Sequence, residues 1–475
     1  MSITTGATAK TAYLESTGEK DPYKYQVGFG NWFATEAIPG VLPSQSHPQK
    51  TKYDLYTEGV TGWAFTAPRA ENKQTWLYRI QPSVSHDGFT VGKQNPYLVS
   101  DFTSANPHVH INPTQVAWSP IDLPSKSEKV DFIEGLKTLG GIGSSRLRDG
   151  LATHFYAANS SMQKKAFVNS DGDILIFPDT GRLDIQTEMG RLMVRPGELV
   201  VIPGGIKFKV SLPDGPSRGF VQEIYSTHFV LPEPGPLGSS SLAKVRDFEH
   251  PVASFDIDQS NWEIVYKIGG QLFTCKQDHT PFDVVAWNGN YAPYKYALEK
   301  FIVVRNANKD HADPSSLCVL TAKSKIPNQP LVDICVIAPH WDVTDAYRGP
   351  YFHRNTAAEL VGIVAARGDG GWRPGFVPGS LTYQSGFAPH GSPTDEHKMF
   401  VEAKLVPTRA FEDTYGFVIE PVSTLLLTDW ALKAPQFREQ NVGLWKGLKP
   451  AFLEHIDQVN ADLKAAGLPI LGQDN

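Results

Sequence analysis

Residues 169–210 read N-S-D-G-D-I-L-I-F-P-D-T-G-R-L-D-I-Q-T-E-M-G-R-L-M-V-R-P-G-E-L-V-V-I-P-G-G-I-K-F-K-V. The short apolar runs at 174–177, 183–187, 191–194 and 199–202 are strand candidates. Every join between them carries Gly, Pro or Asp, residues that reverse a chain at low steric cost. The same grammar extends along the whole sequence, where 41 Gly and 36 Pro are scattered among Val-, Ile- and Phe-rich runs. Many short strands joined by turns predict a mainly β protein, of the sandwich, barrel or jelly-roll kind.

At 475 residues the chain is long enough for two associated domains or one large elaborated one. The net charge is -6, charged residues make up 20%, and neither sign forms a long run. This argues against a nucleic-acid groove or an anionic membrane surface, and favours a small molecule or another copy of the chain as partner. The start, M-S-I-T-T-G-A-T-A-K, lacks the basic and apolar blocks of a secretory signal, and no stretch is apolar for long enough to span a bilayer. The expected location is cytoplasmic. Cys275, Cys318 and Cys335 are odd in number and have no C-x-x-C spacing. That excludes a disulfide framework and a thiolate metal site, so any metal must be held by His and carboxylate.

The segment from Pro196-Gly197-Glu198 to Pro203-Gly204-Gly205 resembles the second motif of cupin barrels. Phe208 stands where metal-binding cupins carry a His, so this barrel is expected to be structural and metal-free. A second strand-rich region runs from about 301 to 427. A helix over 450–468 carries Phe452, Leu453, Ile456, Val459 and Leu463 at helical spacing, read as a packing stripe. His108 and His110 form an H-V-H pair, but no carboxylate follows at ligand distance, which argues against a metal role. His154 reads as a core histidine and His311 as a turn residue between Asp310 and Asp313. Neither H-E-x-x-H nor G-x-S-x-G occurs.

A sharper candidate lies in P-Y-F-H-R-N-T-A-A-E-L-V-G-I-V, residues 350–364, where His353 and Glu359 stand six positions apart. A straight strand would separate them by about 20 Å, and a helix would put them on different faces. They can share an ion only as strand end, turn and strand start, with 354–357 forming the turn. His390 in F-A-P-H-G would complete two imidazoles and one carboxylate, the facial triad of non-haem Fe(II) oxygenases. Spacing alone leaves the ordinary reading, of polar residues near a strand, open.

The chain resembles the homogentisate 1,2-dioxygenase family along nearly its whole length. The resemblance is carried by G-F-G-N at 28–31, F-T-A-P-R at 65–69, W-L-Y-R-I-x-P-S-V-S-H at 76–86, V-D-F-I-x-G-L at 130–136, N-S-D-G-D at 169–173, K-Q-D at 276–278, G-N-Y-x-P-Y-K-Y at 289–296, D-H-A-D-P-S at 310–315, Y-F-H-R-N at 351–355 and A-P-H-G at 388–391. It implies a cupin-like, jelly-roll N-terminal domain, placed at 1–285, and a smaller strand-rich C-terminal iron-binding domain, placed at 286–475. It also implies Fe(II) held by His353, Glu359 and His390, and a homo-oligomer, trimer or hexamer. The implied chemistry is cleavage of a para-dihydroxylated ring with both atoms of O2 incorporated.

Several pocket positions depart from the family pattern. Asn288 replaces the acid-base histidine of W-H-G-N-Y, and an amide has no proton equilibrium near neutral pH. Gly368 and Gly371 fall near the family's Tyr and Lys, leaving Arg367 or Arg373 to replace those substrate contacts. Thr382 and Tyr383 stand where a further pocket histidine is expected. The favoured reading is therefore a ring-opening dioxygenase for another substituted hydroquinone or a larger phenolic metabolite, with Asn288 and Tyr383 at the chemistry. The alternatives are a genuine homogentisate dioxygenase and, below it, a non-catalytic metal-binding relative.

Overall fold

The computed structural model describes residues 21–239, 241–305, 308–310, 313–366, 376–439 and 442–472. The four strands expected in the opening stretch form as Asp173–Thr180, Leu183–Thr187, Gly190–Val194 and Glu198–Ile202, and a fifth follows at Phe208–Ser211. They do not lie in one sheet. Asp173–Thr180 pairs with Glu198–Ile202 inside an eleven-stranded sheet, whereas Leu183–Thr187 pairs with Gly190–Val194 and Phe208–Ser211 in a seven-stranded one. The chain thus crosses between two facing sheets at its Gly- and Pro-bearing turns, which is the jelly-roll arrangement.

Period-two alternation decides what each face meets. Ile174, Ile176, Val200 and Ile202 point into the barrel, against Ile185, Leu192, Val194 and Phe208 of the opposite sheet. Leu175, Phe177, Leu199 and Val201 point the other way, into a second core shared with Leu360, Tyr383 and Phe417 of the C-terminal half. Both faces are buried, which is why these strands read as continuous apolar runs. Phe208 fills the barrel interior beside Phe132 and Phe167.

The two halves trade strands. Val116–Trp118 leaves the N-terminal half to join the eight-stranded C-terminal sheet, between Leu381–Gln384 and Phe437–Glu439. Leu426–Thr428 makes the return journey and pairs with Leu136–Ser144 and Val109–Ile111. The strand Val284–Gly289 pairs with Phe33–Glu36 and Gln74–Arg79, so the junction expected between 285 and 286 falls inside a strand of the N-terminal half. Tyr294–Ala297 still belongs to the eleven-stranded sheet.

The packing role expected of the C-terminal helix needs correction. The C-terminal helix forms, as Ile456–Ala465 after a short 3-10 turn, but it buries none of its residues and Phe452 and Leu453 each remain 60% exposed. The apolar stripe is present, yet it packs into no core among the described residues. His108 and His110 do meet a carboxylate: both bond Asp429, at 3.0 and 2.7 Å, which the strand exchange delivers from more than 300 positions away. His154 is a core histidine between Thr138 and Glu223; His311 lies outside the described residues. Among the described residues no helix is long and apolar enough to cross a membrane.

Trp118 pins the exchange. It is 1% exposed, packs at a tilt against Phe437 and donates its indole N–H to Ala431 O at 2.8 Å. Trp118→Ala is expected to cost about 3–5 kcal/mol in denaturant titration, as for other buried aromatic truncations.

Candidate metal centre

Glu359 opens the strand Glu359–Ala366, whose Leu360, Ile363 and Val364 are fully buried. Upstream the chain bends at 356–357, and His353 comes to lie in an isolated antiparallel bridge with His390. The bridge is reciprocal: His353 N–H donates to His390 O at 2.9 Å, and His390 N–H donates to His353 O at 3.1 Å. Strand end, bend and strand start therefore replace the roughly 20 Å of an extended step. Gly391 makes the close approach feasible. Its φ is +153°, and a Cβ there would sit 2.8–2.9 Å from Phe352 and Tyr351 atoms.

The side chains follow from that backbone. His353 Nδ1 lies 2.8 Å from Tyr351 O and His390 Nδ1 lies 2.8 Å from Ala388 O. A carbonyl can only accept, so each Nδ1 carries the proton and each Nε2 presents its lone pair when the ring is neutral. The two Nε2 atoms stand 3.1 and 3.2 Å from the same Glu359 oxygen. His390 Nε2 is buried and has no aligned hydrogen bond in spite of that proximity. One ligand atom from each of the three residues lies within 4.8 Å of the others, the one such group of three among the described residues. Asn355 Nδ2 donates to the shared Glu359 oxygen at 3.0 Å and orients the carboxylate. An orphaned, buried Nε2 aimed at a carboxylate is what a cation would satisfy, so these residues fit a divalent metal of the two-His, one-carboxylate kind.

Burial works to raise the Glu359 carboxyl, but the neighbouring His353 and His390 imidazoles outweigh it and hold the group at about 2. The hydrogen bond to Glu359 raises His353. Glu359 lies in a cross-sheet row of polar groups. Gln384 faces it directly on the next strand, and its Oε1 is buried without a partner. On the other side come Glu420 and Asp333, paired with each other. Burial, then the charges of Glu359 and Asp333, push Glu420 up to about 7.

Two cavities meet at the triad. The larger, about 1170 Å³, reaches His353 and Glu359 past Tyr351, Asn355, Asp333 and Glu420. The smaller, about 380 Å³, reaches His353 and His390 through a different set of residues, between Phe352, Arg354, Trp445 and Leu448.

The other expected pocket residues are not brought together here. Asn288 lies on the strand Val284–Gly289, donates to Tyr78 OH at 3.1 Å and lines neither cavity. Tyr383 faces the shared core. It is fully buried, and its hydroxyl accepts from Leu425 N–H at 2.9 Å. Thr382 shares the sheet face of Glu359 but sits opposite Val361 and lines neither cavity. Arg367, Gly368, Gly371 and Arg373 lie outside the described residues. Gln384, Asn355, Arg354 and Trp445 were not singled out from sequence. For Asn355 and Arg354 the signal was available, since both stand inside H-R-N beside a suspected ligand. For Gln384 it was not, because only the strand register chooses it over Tyr383.

Comparison with known proteins bears on the whole chain. Residues 24–298 match the family model described as homogentisate 1,2-dioxygenase N-terminal, and residues 299–452 match its C-terminal counterpart. The chain belongs to the homogentisate 1,2-dioxygenase family. It is 43% identical to the homogentisate 1,2-dioxygenase of Arabidopsis thaliana, over 94% of this chain and 97% of the relative. The Drosophila melanogaster enzyme is 44% identical over 90% and 98%, and the human one 41% over 90% and 97%. Likeness to solved structures is weak. A cupin barrel protein from Leptotrichia buccalis aligns with TM-score 0.24 and 8% identity over 57% of this chain and 83% of that one. An oxalate decarboxylase variant from Bacillus subtilis gives 0.27 and 10%, over 73% and 85%. Family membership makes the chain an enzyme of the ring-cleaving dioxygenase class.

A core role and a pocket role for Tyr383 predict different outcomes. Tyr383→Phe is expected to cost about 1 kcal/mol of unfolding free energy, the net worth of the Leu425 hydrogen bond, read as a lower midpoint in thermal or urea denaturation.

Proposed function

We infer that the chain is a homogentisate 1,2-dioxygenase, opening the ring of this dihydroxyphenylacetate with both atoms of O2, and that His353, Glu359 and His390 hold the ferrous ion it uses. One observation carries the reading: identity of 41–44% with enzymes of that name extends over 90% or more of this chain, in which His353 and His390 converge on Glu359. Ferrous iron held by two imidazoles and a carboxylate supplies the redox partner that dioxygen needs to attack a phenol. The chain's own part is positional. The backbone bridge sets the imidazoles, the Tyr351 and Ala388 carbonyls keep both Nε2 atoms available, and Asn355 holds the Glu359 carboxylate in place. The single negative charge of Glu359, ionised down to about 2, offsets part of the metal's charge without saturating it.

A different hydroquinone as substrate, the reading favoured from sequence, rested on Asn288, Thr382 and Tyr383 facing the pocket. Within this chain none of the three lines either cavity at the triad, and Tyr383 is committed to the core. That weakens the case for altered specificity and leaves the family's own substrate as the better reading. The trimer or hexamer implied by the family resemblance stays part of the proposal.

The direct test supplies anaerobically iron-loaded protein with homogentisate and 18O-labelled dioxygen. The expected outcome is a ring-opened acid carrying two labelled oxygens per molecule; oxygen uptake without ring opening, or none, would refute the assignment. A second expectation follows from the proton on His353. Its pKa is raised in the metal-free protein, and a metal must displace that proton. Iron affinity should therefore be constant above this pKa and fall about tenfold per pH unit below it, as one proton competes for the site. Competition with a chelator of known affinity, repeated across pH, measures the slope.

A further inference from the structure

The triad is approached from two sides, and their electrostatics differ. Along the larger cavity stand Glu233, Asp313, Asp333 and Glu420, in addition to Glu359. The two cations among its described lining residues, Arg305 and Lys323, are each engaged outside it, Arg305 at 3.7 Å from Asp342 and Lys323 at 3.4 Å from Glu71. An aromatic acid entering there would meet like charge in a partly desolvated space.

The smaller cavity has the opposite character. Its volume of about 380 Å³ falls in the range of small-molecule sites, about 300–1,000 Å³. Phe352 and Trp445 give it two aromatic walls and Leu448 an apolar one, and its lining contains no carboxylate among the described residues. Among the described lining residues Arg354 is the one permanent charge, and its guanidinium makes no ion pair or hydrogen bond with the described residues. The wall formed by the C-terminal segment is fastened in place, since Thr394 Oγ1 donates to Leu444 O at 2.8 Å. The His353 and His390 rings form the floor, 4.0 Å apart between centroids.

We propose that the substrate enters on this side, its ring between Phe352 and Trp445, and that Arg354 binds its carboxylate. The assignment rests on the reading of the chain as a homogentisate dioxygenase and deepens it by naming the anion site, for which sequence had offered Arg367 or Arg373. A planar guanidinium pairs with a carboxylate through two parallel N–H···O bonds, and aromatic walls accept a ring at little entropic cost. Arg354 follows a triad histidine directly in the chain, so the anion would be held at a fixed offset from the reacting ring.

The test is calorimetric binding of homogentisate and of its methyl ester to the full-length, iron-loaded protein under anaerobic conditions. Arg354→Gln should raise the Kd of the acid about 10- to 100-fold, the loss expected for a charge-assisted hydrogen-bonded pair, with the Kd of the ester changed less than about threefold. Arg354→Lys should recover part of the loss, because the charge remains and the two-pronged geometry does not. If Arg354→Gln binds the acid as tightly as the unaltered protein does, or weakens acid and ester equally, the anion site is overturned and the dioxygenase reading stands. If the unaltered protein neither binds nor opens homogentisate, the substrate reading falls and takes the anion site with it.

Discussion

The reciprocal backbone bridge between His353 and His390 is the constraint on which the site depends. Two N–H···O bonds, at 2.9 and 3.1 Å, tie together segments that are 37 positions apart and bring both imidazoles to one Glu359 oxygen. Each ring is then fixed by a carbonyl two residues before it in the chain, Tyr351 for His353 and Ala388 for His390. The same local contact is made twice, leaving the Nε2 atom of each ring free to face Glu359. Such preorganisation matters for a metal site because a ligand that must reorient on binding gives up affinity.

The bridge would be a loose clasp without the platform below it. Glu359 starts a strand whose other residues are buried against a core that both halves of the chain build in common. Phe177 of the N-terminal sheet stacks on Phe417 of the C-terminal one at 4.9 Å, and the exchanged strands carry hydrogen bonds across the junction in both directions. The N-terminal barrel, its interior filled by side chains such as Phe208, therefore contributes rigidity to the site rather than ligands. The His108 and His110 contacts to Asp429 secure the same exchange at its edge.

Charge is distributed asymmetrically about the triad. On one side a row of acids runs across the sheet, and their mutual repulsion and burial hold the Glu420 carboxyl near 7 while the two imidazoles keep Glu359 at about 2. On the other side aromatic side chains and the Arg354 guanidinium line a cavity with the histidines. Neighbouring carboxylates differing by several pKa units show how strongly local partners, rather than residue type, govern ionisation in a low-dielectric wall.

Much of this was legible in the residues. Period-two runs with Gly, Pro and Asp at their joins determined the strands of 173–202 nearly to the residue, because alternation and turn chemistry are local properties. The geometry of a six-residue step likewise required the bend before Glu359. Motif resemblance named the family and its three candidate ligands. Only the tertiary structure decided which sheet each strand joins, that the helix at 456–465 buries none of its residues, and that Asp429 meets His110. It alone turned Tyr383 into the core and placed Gln384 opposite Glu359, for a physical reason: a one-residue change of register exchanges the faces of a strand, and register is set by hydrogen bonds to distant partners that the local sequence does not contain.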